Sequence, residues 1–242
     1  MHPMKTTALA LGLAIAPIAG FAQDLSDARI KELALEAIRE NPQIIMEAVQ
    51  LLEQQQAATQ ADAAADVLKN QRQSLEHDPN APVLGNPDGD VTVVEFFDYN
   101  CPYCRRAMSE VQGLLDADQD VRLVYREWPI LSEGSVFAAK AALAAREQDK
   151  YEEFHWALMG MEERAEEASV MRLAEEIGLD VKRLRTDMDE PEVQEHIDES
   201  MRLSQALGFN GTPSFVIGDD LVPGFVEQDQ LEALVDKTRE SD

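Results

Sequence analysis

Cysteine is almost missing from this chain: there are two in 242 residues, Cys101 and Cys104. No third thiol exists to draw either sulfur into a permanent bridge, so all of the thiol chemistry is confined to one site. Basic residues are scarce too. Lys and Arg number 21 against 47 Asp and Glu, a formal net charge of −26. Nucleic acid and anionic lipid surfaces are therefore repelled. The charge suits a solubilising surface, or a preference for cationic clients, and identifies no partner. Long hydrophobic runs are lacking as well: the apolar stretch from Ala8 to Ala19 is about 12 residues, where a spanning helix needs about 20. It reads as the core of a secretory signal over residues 1–22, with Lys5 before it and the small-x-small ending Gly20-Phe21-Ala22 after it. Secreted chains ordinarily spend cysteines on structural staples. Keeping a single CxxC pair favours catalysis.

Residues 23–76 are rich in Ala, Gln, Glu and Leu, lack Gly and have Pro42 as their one breaker. They read as helices, the first capped by Ser26, the second starting at Asn41-Pro42 with proline at its first position. Ile45, Ala48, Val49 and Leu52 keep helical spacing. Gln54, Gln55 and Gln56 then interrupt the stripe before Ala61, Ala64, Ala65 and Leu68 resume it. Two arrangements satisfy this pattern, a homo-oligomerising stalk over residues 24–76 or helices folded back on the rest of the chain. Residues 77–90 are dense in turn formers and read as a linker.

A domain over residues 91–242 follows. The nearly continuous apolar run Val91 to Asp98 predicts a central strand covered on both faces. A helix from Pro102 to about Ala117 and a strand at Val121 to Arg126 complete a β-α-β unit around Cys101-Pro102-Tyr103-Cys104. Residues 130–209 are helical almost throughout, with Gly178 and Gly208 suited to helix ends. Gly211-Thr212-Pro213 leads into a strand at Ser214 to Gly218, a turn at Asp219-Asp220, Leu221-Val222, and a closing helix from about Glu227 to Arg239.

The stretch Glu95-Phe96-Phe97-Asp98-Tyr99-Asn100-Cys101-Pro102-Tyr103-Cys104, the long helical insertion and Gly211-Thr212-Pro213 together resemble the DsbA-like branch of the thioredoxin superfamily. With the acidic N-terminal helical segment, they look most like its ScsC type, the suppressor of copper sensitivity proteins. The resemblance implies an α/β thioredoxin fold with an inserted helical subdomain, no bound cofactor, a periplasmic location, and thiol-disulfide exchange with client proteins. It also implies a membrane redox partner that keeps the pair oxidised or reduced.

Cys101 is the expected nucleophile, since the first turn of a helix offers unpaired N–H groups and a positive dipole end that favour thiolate over thiol. Pro102 fits the first helical position directly after it. Cys104, one turn deeper, is the expected resolving thiol. The competing use of a CxxC, half of a zinc site, lacks histidines at ligand spacing. Glu95 lies inside an apolar strand, where a carboxylate needs a reason. By the resemblance it manages the proton of Cys104; the alternative is a structural ion pair. Also by the resemblance, Thr212-Pro213 is a cis-proline loop facing the CxxC, with the Thr212 backbone pairing to an extended client. Tyr103 cannot add the positive charge that a histidine between the cysteines would, so a strong oxidase is not favoured over an isomerase or reductase.

The remaining candidates are weaker. Phe97, Tyr99, Trp128, Phe209 and Phe225 suit core packing more than a client surface. Met108, Met159, Met161, Met171, Met188 and Met201 are dispersed and read as core filler rather than a copper set. The competing functions are a DsbA-like oxidase, and a copper-binding or holdase protein.

Overall fold

The apolar run at the start of the domain becomes strand β2, Val91–Phe97. In the computed structural model, which describes residues 27–241, it runs through the middle of a five-stranded sheet of order β1-β3-β2-β4-β5. The other strands are β1 Val83–Gly85, β3 Val121–Glu127, β4 Ser214–Ile217 and β5 Asp220–Pro223. β2 pairs parallel to β3 and antiparallel to β4, while β1 joins β3 and β5 joins β4, both antiparallel. The proposed signal over residues 1–22 and the cap Ser26 lie outside the described residues.

Two compact units meet at Glu53 and Gln54. The first holds α1, Asp27–Glu40, and the opening of α2, Gln43–Asn70. Nothing in α1 is buried. Ile30, Leu35, Ile45, Met46, Val49, Leu51 and Leu52 are all exposed, so the helical stripe that the sequence predicts has no covering side chains within this unit.

In the second unit a period of two divides β2 between two cores. Val94 and Phe96 pack with Val67 and Leu75 from the N-terminal helices and with Leu203 and Leu207. Val93 and Phe97 face α4, Pro102–Ala117, through Cys104, Ala107, Val111 and Leu114. Both faces are thus dry, as a nearly unbroken apolar strand requires. The described end of α2 buries Ala64 and Val67, and Gln60 Nε2 donates to the carbonyls of Gln205 at 3.2 Å and Ala206 at 2.7 Å. The short helix α3, Arg72–Glu76, has its carbonyls held from β3. Arg122 donates to Glu76 O at 2.7 Å, and the buried Arg126 donates to Leu75 O and pairs with Asp78 at 2.8 Å.

The helical insertion comprises α5 Glu133–Ala144, a 3-10 turn at Ala145–Gln148, α6 Tyr151–Met159, α7 Glu167–Glu176, α8 Val181–Asp187 and α9 Pro191–Ala206. Ser132 caps α5, Asp180 caps α8 and Pro191 opens α9. Gly178 and Gly208 take φ of +78° and +79°, the left-handed conformation that ends a helix cheaply with glycine. Helix α10, Gln228–Ser241, closes the fold.

One strand escaped the sequence reading. β1 sits inside the stretch read as linker, with Leu84 buried and paired to Leu123. Gly85, at φ +69°, lies where an added Cβ would stand 2.7 Å from Val121 O. A turn former is needed there because strand β1 must break off against the backbone of its own partner.

Candidate functional site

Cys101 is the N-cap of α4, with extended φ −79° and ψ 118° and Pro102 next to it at the first helical position. Its own N–H bonds Asp98 O at 3.0 Å and its carbonyl accepts from Arg105 N at 3.1 Å. This leaves the side chain over the unpaired amides of the first turn. The Sγ donates to the carbonyl of Thr212 at 3.1 Å, and the Thr212–Pro213 peptide is cis. Both sulfurs are free and buried. The Cys101 thiol is pulled down to about 6, chiefly by its hydrogen bond with the Cys104 thiol, then by the Thr212 side chain and the N–H groups of Cys104 and Tyr103, against the opposing effect of burial. Cys104 is pushed well up, first by burial, then by its bond to Cys101 and the charges of Glu95 and Cys101. The pair is therefore asymmetric. The outer sulfur is an available thiolate and the inner one a stored thiol.

Glu95 shares the α4 side of β2 with Val93 and Phe97. Burial, and then the Cys101 charge, raise its carboxyl to about 8, with no basic group among the causes. That disposes of the structural ion pair as the reason for a carboxylate in this strand. Cys101, Cys104, Glu95, Thr212 and Pro213 thus converge. Tyr103 points outward with 59% of its surface exposed.

Four of the five aromatic candidates are buried: Phe97, Tyr99, Trp128 and Phe209. Phe225 is half-buried, with the Arg106 guanidinium 4.3 Å from its ring centre. Among the described residues no cluster of three His, Cys, Asp or Glu side chains is placed to hold a metal ion.

Two groups of site residues went unread in the sequence. The Asp98 carboxylate accepts from the N–H groups of Asn100 at 2.8 Å, Ile130 at 2.8 Å and Leu131 at 3.0 Å. Behind it, Glu127 accepts from Tyr99 at 3.2 Å and Tyr151 at 2.8 Å, while Tyr99 and His155 Nδ1 share a bond of 3.0 Å. Burial drives the Glu127 carboxyl well up and His155 down to about 3, so the imidazole is neutral at pH 7. A glutamate ending the β-rich stretch Val121–Glu127 was the available signal.

A parallel-cored five-stranded sheet, a CxxC at the head of a helix and a facing cis-proline define a redox protein of the thioredoxin fold. The chain belongs to the DSBA-like thioredoxin domain family, whose model matches residues 92–236. A second model, the copper resistance protein ScsC N-terminal domain, matches residues 28–59. A thioredoxin-like oxidoreductase from Silicibacter pomeroyi is 71% identical, covers 71% of this chain and 99% of its own, and superposes with a TM-score of 0.70. Proteus mirabilis ScsC in a transitional conformation is 28% identical over 90% of this chain and 99% of its own, with a TM-score of 0.67. Disulfide bond formation protein D of Bacillus subtilis is 26% identical over 168 residues, 64% of this chain and 76% of that one. The chain also matches part of far longer curated relatives: it spans 21% of a Salinispora tropica Na(+)/H(+) antiporter to which it is 33% identical over 137 residues.

Proposed function

We propose that this chain is a periplasmic thiol-disulfide oxidoreductase that works on client proteins as an isomerase or reductase. The observation that carries this is the contact between Cys101 Sγ and the Thr212 carbonyl at 3.1 Å, beside a thiol lowered to about 6. The Cys101 thiolate attacks one sulfur of a client disulfide; a Cys101–client disulfide forms and the other client sulfur leaves as thiolate. Cys104 then gives its proton to the ionised Glu95 carboxylate and attacks Cys101 Sγ. The client is released reduced and the protein pair is left oxidised. If instead a client thiolate attacks the mixed disulfide, a rearranged client disulfide forms and Cys101 leaves as thiolate, with no net redox change. Once Cys101 carries no proton its sulfur stops donating, and the Thr212 carbonyl is freed for a client backbone N–H, an added-strand contact.

Support for the isomerase direction comes from two features. Tyr103 carries no charge to stabilise the reduced pair. The exposed apolar residues of α1 and early α2 suit self-association, which would hold several sites around one client. A membrane partner would return the pair to its working redox state. The secretory reading of residues 1–22 is the ground for the periplasmic location.

Recovery of activity from scrambled ribonuclease in a mildly reducing buffer, beside Cys101→Ser, is the test. Cys101-dependent recovery is the expected result, and none above the mutant would sink the isomerase reading. A second reading, capture of cuprous ion by the paired thiols, draws on the two free cysteines one helical turn apart and on the family name attached to residues 28–59. Stoichiometric binding lost in Cys104→Ser would favour it.

A further inference from the structure

Two side chains that bracket Cys101 reach from its loop and helix to the helical insertion. The Asn100 carboxamide Nδ2 donates to Ala165 O at 3.0 Å, Ser132 Oγ at 3.2 Å and Ser135 Oγ at 3.3 Å, while Oδ1 accepts from Ala165 N at 2.8 Å. This reproduces, with a side chain, the two-way pairing of a strand residue. Arg105 spreads its guanidinium over three backbone carbonyls: Tyr99 O at 2.9 Å, Met161 O at 2.6 Å and Glu163 O at 3.0 Å. Burial lowers its pKa, so the cation is partly desolvated and its hydrogen-bond partners are all neutral. An ion-pair role does not account for that arrangement. The planar fork of arginine does, because an ammonium cannot reach three divergent carbonyls at once.

Asn100 and Arg105 tie the same two pieces together, the loop 98–101 with the first turn of α4 and the segment 161–165 between α6 and α7. We propose that they are positioning residues which fix Cys101 in its extended N-cap conformation, over the N–H groups of Tyr103 and Cys104 and against Thr212. The inference rests on the reading of Cys101 as the exchanging nucleophile. Its physical content is that N–H donors and a helix dipole stabilise a thiolate only while the sulfur stays within their first turn. A loop free to reorient would average that stabilisation away.

The test uses the reduced full-length protein and no client. Thiolate absorbance is titrated, and alkylation by iodoacetamide is timed at about pH 6, in the wild type, Asn100→Ala and Arg105→Lys. Tyr151→Phe serves as a control that removes a buried hydrogen bond, to Glu127 at 2.8 Å, outside the clamp. Expected is a rise of about one pH unit in the Cys101 midpoint for both clamp variants and an alkylation rate about fivefold lower, with the control unmoved. Unchanged midpoints in the folded clamp variants, or an equal rise in Tyr151→Phe, would overturn the proposal. Should a variant not fold, amide exchange in the wild type still decides: a protected Ala165 N–H is required, and exchange at the rate of an open loop sinks the clamp. Because no client enters, a wild type inert toward scrambled ribonuclease would end the isomerase reading and leave these outcomes intact.

Discussion

The thiol of Cys101 donates to the backbone carbonyl of Thr212 at 3.1 Å, across 111 positions of sequence. One hydrogen bond thus links the reactive sulfur to the edge beside the cis peptide, and it lasts only while the sulfur is protonated. Ionising Cys101 and baring the Thr212 carbonyl are one event.

Removing the Thr212 hydroxyl therefore has a readable cost. Thr212→Val keeps the shape and loses a donor to the thiolate, so the Cys101 midpoint is expected to climb above about 6, read by thiolate absorbance. A folded pKa below the ordinary thiol value of 9.0 also means that the stability Cys101 contributes is fully present above that value and lost as pH falls through about 6. The stability gap between the reduced wild type and Cys101→Ser should accordingly widen from pH 6 to pH 9. A constant gap in urea unfolding would contradict the depressed pKa.

Glu95 behaves in the opposite sense. Its folded pKa of about 8 exceeds the ordinary 4.5, so the protonated form is favoured and stability falls as pH rises between those values. Glu95→Gln should be more stable than wild type above pH 8, by more than about 1 kcal/mol. It should also release a mixed disulfide at least about tenfold more slowly there, because no carboxylate takes the Cys104 proton. A stopped-flow pH profile of release that matches the wild type would remove the proton role.

Glu127 offers a contrast between two substitutions. Glu127→Gln preserves an acceptor for Tyr99 and Tyr151 and replaces a carboxyl that burial already pushes toward its neutral form, so it should change stability by less than about 1 kcal/mol. Glu127→Ala strands two buried hydroxyls and opens a cavity, and should cost about 3 kcal/mol. Denaturant midpoints for the two variants measure the difference.

Self-association through the first unit predicts that Ile45→Glu combined with Leu52→Glu lowers the solution mass to that of one chain in light scattering. Reaction of Cys101 with a small disulfide should be unaltered. A wild type already of single-chain mass would discard this part of the proposal.

The helical insertion was legible residue by residue, since apolar spacing, Pro191 and the two glycines act within a turn or two. β1 was not. Its three residues, Val83–Gly85, are too few to show a period, and Gly85-Asn86-Pro87 reads as a turn. What makes the segment a strand is β3, about 40 positions later. Glu127 was missed for a related reason: a lone acid at the end of a strand looks like a solvated terminus until Tyr99, Tyr151 and His155 close over it.

The sequence by itself determined that there is one thiol pair, that it opens a helix behind an apolar strand, and that an acid lies within that strand, because these are facts of local spacing. It connected Thr212 to the cysteines only through a resemblance. The tertiary structure alone decided which groups desolvate one another. Glu95 at about 8 and Cys101 at about 6 result from burial and from donors brought in from elsewhere, and Asn100 finds Ala165 across 65 positions. Proton affinities depend on dielectric surroundings and neighbouring dipoles, and a chain has neither until it has folded.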